Sequence, residues 1–331
     1  MGQSIAVMNT KGGVGKSTVV MALAETLSVF NRLNVLVIDS DMQTSISVML
    51  MPTDRWEAIE AQQKTLVHYL GSAVLGGGDT DWKEFVVTQV SDVDEADTVY
   101  LIPSHMELSL FEREVSEKGK TAELNQRVRA LLDDAKRYFD VVLIDCPPGI
   151  SILTEAWLRE CDYHLPPVKP DYLSVRGYGV LGQFKSRSQD KRFSENLGLL
   201  INMKDGRIRS EEEYHSRLAG DAANRCFQAA IPRRAYIQRA ADFDPSTRTY
   251  AAKYPGDAGQ AIRQVAQEVV ARLAAGQLAA QSAKPVPPPA PPAPTIAPVV
   301  MQPQPAKTSQ PASGSAASTS APLNGAMSRT T

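Results

Sequence analysis

Lys11-Gly12-Gly13-Val14-Gly15-Lys16-Ser17-Thr18 follows the apolar run Ile5–Met8 and leads directly into a helical pattern over Ser17–Phe30. A strand, a glycine loop and a helix in that order form a phosphate cradle. Glycines let successive backbone N–H groups turn inward around phosphate oxygens, and the helix N-terminus adds partial positive charge. A lysine reaches the β and γ phosphates, and a hydroxyl is placed for Mg2+. On this reading Lys16 follows the phosphates, Ser17 is a magnesium ligand, and Lys11, Gly12, Gly13, Val14, Gly15 and Thr18 complete an ATP site. The loop departs from the general G-x-x-x-x-G-K-[ST] form: Thr10 stands at the first position, and a second lysine, Lys11, stands beside it.

Working outward, Val35–Ile38, Val99–Ile102, Val141–Ile144 and Leu199–Ile201 are further runs of consecutive Val, Ile and Leu. Strands covered on both faces of a parallel sheet have this composition. Ser17–Phe30, Glu123–Arg137 and Gly259–Leu278 are long enough for helices, and the last sets Ile262, Val265, Val269 and Leu273 on one stripe. The fold class is therefore α/β, a mostly parallel sheet with helices on both faces. Two of the runs end in acids. Val35-Leu36-Val37-Ile38 is followed by Asp39-Ser40-Asp41, whose carboxylates point the same way by strand alternation. Val141-Val142-Leu143-Ile144 ends in Asp145, followed by the rigid turn Cys146-Pro147-Pro148-Gly149. Acids at the carboxyl ends of parallel strands lie where α/β sheets bind ligands.

The doubled-lysine loop resembles the deviant P-loop of the ParA/MinD family of ATPases. Asp39-Ser40-Asp41-Met42-Gln43 is similar to that family's first switch, with Met42 where a proline is usual, and Asp145-Cys146-Pro147-Pro148 is similar to its Walker B segment and second switch. The resemblance spans residues 3–275, most specifically the first 45 and 139–149. It implies a homodimer with ATP sandwiched between subunits, in which Lys11 reaches the partner's nucleotide. It also implies that Asp41 orients the attacking water, Asp39 supports the magnesium shell and Asp145 holds Mg2+. Asn202, in Leu199-Leu200-Ile201-Asn202-Met203, and Pro232, in Ile231-Pro232-Arg233, correspond to late strand ends around the adenine.

Composition narrows the function further. The net charge of −2 is a cancellation: residues 1–175 hold 15 Lys/Arg against 26 Asp/Glu, and residues 176–283 hold 17 against 11. Such asymmetry hints at a polyanion-facing surface in the basic part, where Lys185, Arg187, Lys191 and Arg192 cluster and Arg233, Arg234, Arg239 and Arg248 follow. Cys146, Cys161 and Cys226 have no metal-binding spacing and read as buried thiols. From Lys284 the chain turns to Pro, Ala and Ser, with 12 of the 22 prolines, giving an ATPase domain over 1–283 and a disordered tail over 284–331. No cationic leader and no long apolar span occur, so a cytoplasmic protein is expected. Three classes of function remain open. One is a ParA-like positioning or partitioning ATPase whose ATP dimer binds nucleoid DNA without sequence preference and is released by a hydrolysis-stimulating cargo adaptor. The second is a MinD-like protein working on a membrane, which the Pro/Ala-rich end does not favour. The third is a metabolic reductase or ligase relative. The loop begins at residue 11, so no operator-reading helix-turn-helix is expected before it.

Overall fold

The computed structural model describes residues 1–188 and 192–275. Among the described residues there are eight strands: β1 (Gln3–Val7), β2 (Val35–Asp39), β3 (Val99–Ile102), β4 (Val141–Asp145), β5 (Tyr163–Leu165), β6 (Pro167–Val168), β7 (Glu195–Asn196) and β8 (Leu200–Ile201). The helices are α1 (Lys16–Asn31), α2 (Ser45–Leu50), α3 (Thr53–Ala61), α4 (Leu66–Leu70), α5 (Leu108–Glu117), α6 (Thr121–Ala135), α7 (Ile152–Glu160), α8 (Tyr172–Arg187), α9 (Arg209–Gly220), α10 (Ala235–Arg239), α11 (Tyr250–Lys253) and α12 (Gly256–Leu273). Six strands pair in the order β3-β2-β4-β1-β5-β7, all parallel.

Alternation along the central strands builds two cores. Ile5, Val7, Val35, Val37, Val141 and Leu143 face one side and pack with α1 and α12, where Leu23, Leu27, Ile262, Val265 and Val269 meet them. Ala6, Leu36, Ile38, Val142 and Ile144 face the other, against Phe111, Leu124, Val128, Leu132 and Trp157 of α5, α6 and α7. Consecutive apolar residues are what a strand needs when both its faces are covered. The expected stripe of α12 is buried at each of its four positions.

The Leu199–Ile201 run behaves differently from its expected place in the main sheet. Leu200 and Ile201 pair with Pro167 and Val168 in a separate two-stranded ribbon, and the sixth strand of the main sheet is Glu195–Asn196 instead. The same two stretches of chain supply both pairings, and the ladder breaks at Pro166, which has no N–H to donate. Lys191, the last residues of the expected Gly259–Leu278 helix and the whole segment from Lys284 lie outside the described residues.

A buried ionic cluster ties the late chain to the first helix. The Lys253 ammonium is inaccessible and bonds Glu25 of α1 at 2.6 Å and Asp92 at 2.5 Å. Tyr254 Oη donates to the other Glu25 oxygen at 2.6 Å, Ser91 Oγ donates to Glu25 at 2.7 Å, and Arg248 bonds Asp92 at 2.7 Å. Removing one partner from such a buried pair leaves uncompensated charge and costs about 3–5 kcal/mol. Lys253→Met is therefore expected to lower the unfolding free energy in urea by about that much, with partial recovery when Glu25→Gln and Asp92→Asn are added. A loss under ~1 kcal/mol would show that water reaches the cluster.

Candidate functional site

Because β1, β2 and β4 run parallel and adjacent, the loop after β1 and the acids ending β2 and β4 come to one edge of the sheet. The glycine loop adopts backbone that its sequence makes accessible. Gly13 and Gly15 have φ of 71° and 83°, in the left-handed region that glycine enters without cost. A Cβ on Gly15 would lie 2.5 Å from Asn202 Nδ2, so this position is also closed to larger residues by packing. Nothing lies within 4 Å of a Cβ built on Gly13, and Gly12 and Gly13 are exposed. The rim of the loop is thus open to a ligand while its base is fixed. Asn202 fixes it: its amide donates to the Val14 carbonyl at 2.7 Å. Pro232 lies beside the same strand end, bridging to Lys204.

The residues before the glycines are strapped to the chain after β5. Asn9 Nδ2 donates to the Pro167 carbonyl at 2.8 Å, and Thr10 Oγ1 donates to the Gly177 carbonyl of α8 at 2.6 Å. Thr10, the departure from the general loop form, therefore has a structural task. Gly177 permits the approach, since a Cβ there would meet Asn9 Oδ1 and Lys11 Cβ, each at 3.0 Å. Lys11 stands at the rim, partly exposed, with its ammonium 3.3 Å from Asp171 and 3.1 Å from Ser174 Oγ in the first turn of α8.

Opposite the loop, Asp39 and Asp145 sit in register across β2 and β4, both fully buried. Their surroundings differ. Asp39 Oδ1 accepts the Asp41 N–H at 3.1 Å, and Oδ2 accepts the Ser47 N–H at 3.0 Å and the Ser47 hydroxyl at 2.6 Å. Burial, followed by the charge of Asp145, still pushes the Asp39 carboxyl well above the usual range against these donors. Neither oxygen of Asp145 accepts a hydrogen bond of normal geometry. Burial pushes its pKa up to about 7, with the nearby Ser17 hydroxyl and the Lys16 ammonium pulling down and Asp41 adding to the rise. Lys16 is itself buried, which lowers its pKa, while Asp145 and Asp41 hold it up. A buried carboxylate with two unpartnered oxygens, beside a hydroxyl and a second acid, fits a hard divalent cation such as Mg2+. Asp39, with both oxygens satisfied by the chain's own donors, fits a supporting position better than a direct ligand.

Asp41 is held by its main chain. Ser104 Oγ donates to its carbonyl at 2.7 Å, while its Oδ1 accepts the Gln43 N–H at 3.0 Å. The sequence reading gave no role to Ser47, Ser104 and Asp171, because no motif spacing links them to the residues they meet. Of the cysteines, Cys146 and Cys161 are buried and Cys226 is partly so, all free thiols.

Residues 2–198 match the AAA domain family. The chromosome partitioning protein ParA of Caulobacter vibrioides (strain NA1000 / CB15N) is 29% identical over 273 residues, covering 81% of this chain and 94% of that one. The crystal structure of cobyrinic acid a,c-diamide synthase from Mycobacterium smegmatis with bound ADP and magnesium is similar over 84% of this chain and 97% of its own, with a TM-score of 0.61 at 23% identity. The putative plasmid partition protein of Borrelia burgdorferi B31 bound to AMPPNP is similar over 84% and 100%, with a TM-score of 0.62 at 20% identity. These two likenesses concern the fold.

The raised Asp145 pKa has a thermodynamic consequence with a definite sign. Between its ordinary value of 3.8 and about 7, the folded protein binds a proton that the unfolded chain has released. Its contribution is therefore fully present below pH 3.8 and is lost as pH rises through about 7. Without nucleotide or magnesium, the melting temperature of Asp145→Asn is expected to fall less than that of the unsubstituted protein between pH 4.5 and 7.5. Parallel pH profiles would contradict the assignment.

Proposed function

Since the chain belongs to the ParA/MinD family of P-loop ATPases, we propose that it is an ATP-driven switch that partitions or positions a cellular cargo, cycling between an ATP-sandwiched homodimer and released subunits. The observation that carries this reading is the convergence of the glycine loop, Lys16, Asp41 and Asp145 at one sheet edge, with the second lysine, Lys11, at its rim. A P-loop alone does not name a client. The Lys11 position is what favours a dimer switch, because two nucleotides buried face to face bring together negative charge that needs cations from both subunits.

In this assignment the loop from Gly12 to Gly15 wraps the phosphates, Lys16 follows the β and γ oxygens and Thr18 completes the first turn of α1. Ser17 and Asp145 would hold Mg2+, with Asp39 supporting them, and an ion bound there would supply positive charge against the phosphates. Asp41 orients the attacking water. Asn202 and Pro232 stand on the adenine side, and the Asn202 amide, already spent on Val14, serves first to hold the loop. Lys11 exchanges Asp171 and Ser174 of its own chain for the partner's phosphates. The ATPase domain spans 1–283, and the Pro/Ala-rich remainder is a spacer.

Non-specific DNA binding by the ATP dimer, release by a cargo adaptor and a nucleoid location belong to the same proposal. The side-chain geometry moderates one argument for them. Several cations of the basic segment are turned inward: Lys253 is buried on acids of the acidic segment, Arg248 bonds Asp92, and Arg272 donates to the carbonyls of Leu197, Arg225 and Cys226. Arg234 is paired with Asp257 and Lys185 with the Ser194 carbonyl. What remains for a phosphate-facing surface includes Arg187, Arg192, Arg217 and Arg239, which are exposed, and Arg233, which is exposed although it lies 3.7 Å from Glu211.

Two outcomes test the proposal. By light scattering the unsubstituted protein is expected to be monomeric with ADP and dimeric with ATP, whereas Lys11→Ala binds ATP and stays monomeric; an ATP-dependent Lys11→Ala dimer would remove the cross-subunit role. Duplex DNA of arbitrary sequence is expected to be retained with ATP and not with ADP, with affinity falling steeply as salt rises, a log–log slope of about −0.9 per phosphate contact. Arg233→Glu/Arg239→Glu should weaken it severalfold; retention insensitive to nucleotide, salt and charge reversal would point to a membrane or soluble-enzyme role.

A further inference from the structure

The segment Asp39-Ser40-Asp41 is held by more than its own strand. Between the two acids, Ser40 donates its N–H to the Asp145 carbonyl at 3.0 Å, fastening the end of β2 to the end of β4. Its hydroxyl accepts a hydrogen bond from the indole N–H of Trp157 at 2.7 Å. Trp157 is fully buried in α7, the helix that begins just after the Cys146–Gly149 turn. That turn lies against the loop, since a Cβ on Gly12 would come within 3.9 Å of Pro148 Cβ.

The N-terminus of α7 is fastened independently. Glu112 of α5 accepts the Ser151 hydroxyl and, at 2.9 Å, the Leu153 N–H. The residues leading into α5 contain Ser104, whose hydroxyl holds the Asp41 carbonyl. Asp41 is thus gripped along two routes that both pass through α7: Ser104, α5 and Glu112 on one side, and Trp157 and Ser40 on the other. The indole N–H is the direct link between α7, which follows the turn, and the acid-bearing segment.

We propose that Trp157 is a positioning residue for ATP hydrolysis, its indole N–H holding Ser40 so that the adjacent Asp41 carboxylate is placed for the attacking water and moves with the turn after β4. A buried tryptophan usually finds an acceptor for its N–H, and a backbone carbonyl suffices for that. Here the acceptor is the side chain set between two site carboxylates, on a residue whose N–H is already committed to the neighbouring strand. Truncating either group breaks the same bond, so the two effects should not add. The inference rests on reading Lys11–Thr18 as an ATP site and Asp41 as the residue that orients water.

The test compares the full-length protein with Ser40→Ala, Trp157→Phe and the double variant, measuring steady-state ATPase, binding of a fluorescent ATP analogue, and melting temperature. Displacing a catalytic group by an ångström or less costs roughly 10- to 100-fold in rate. A kcat lower by about that factor is expected in each single variant, with KM and analogue affinity unchanged and the double variant no slower than the slower single one. Trp157 should also give an ATP-dependent change in tryptophan emission that Trp157→Phe lacks. An unchanged kcat in folded, ATP-binding Ser40→Ala, or losses that multiply in the double variant, would overturn the proposal. If Trp157→Phe fails to fold, Ser40→Ala decides alone. No ATP hydrolysis by the unsubstituted protein would instead sink the underlying ATPase reading.

Discussion

Two carboxylates side by side at the end of a dry sheet are the constraint around which this molecule is organised. Asp39 and Asp145 are brought into register by the β2–β4 pairing, inside strands whose other residues are apolar and buried on both faces. Neither acid can be neutralised by moving away, so each must find local compensation. Asp39 finds it in the donors of Ser47 and Asp41, which fixes the chain leaving β2. Asp145 finds only partial compensation in Lys16 and the neighbouring Ser17 hydroxyl, which leaves room for a cation. The two chemically identical groups thus end in different surroundings: Asp39 is bonded into the segment that carries Asp41, and Asp145 keeps both oxygens without a hydrogen bond of normal geometry.

Much of this was legible in the chain. The glycine loop, its lysines and the acids that end two apolar runs lie within short windows where local chemistry decides conformation, and the structure brings them together at one edge. Four of the five strand runs occupy the main sheet for the reason their composition suggests. The fifth pairs in a separate ribbon because Pro166 interrupts a ladder that apolar content alone predicts to be continuous. Glu195–Asn196 could not be recognised as a strand: it is short and polar and is ordered by its neighbour. The helix α8 was also hidden, since Gly177, Gly179 and Gly182 lower helix propensity, and one of them is needed so that the loop can lie against its backbone. Serines 47 and 104 carry no sequence signal because their partners lie 8 and 63 residues away.

Charge was read correctly along the chain and only partly in space. The acidic first half and basic second half suggested a polyanion-facing surface, yet part of that complementarity is satisfied inside the protein, where Lys253 and Arg248 meet Glu25 and Asp92. A segment total counts a buried cation and an exposed one alike, whereas their electrostatic reach differs by the whole effect of desolvation and pairing.

That internal complementarity also orders events during synthesis. Glu25 lies in the helix that starts from the nucleotide loop, and the cation that neutralises it is 228 residues later. While the nascent chain is still short of Lys253, closing α1 onto the sheet would bury two acids without their counter-charge. The helix that leaves the nucleotide loop therefore gains the full benefit of this pairing only once nearly the whole domain is present, although the glycine loop itself is complete by residue 18.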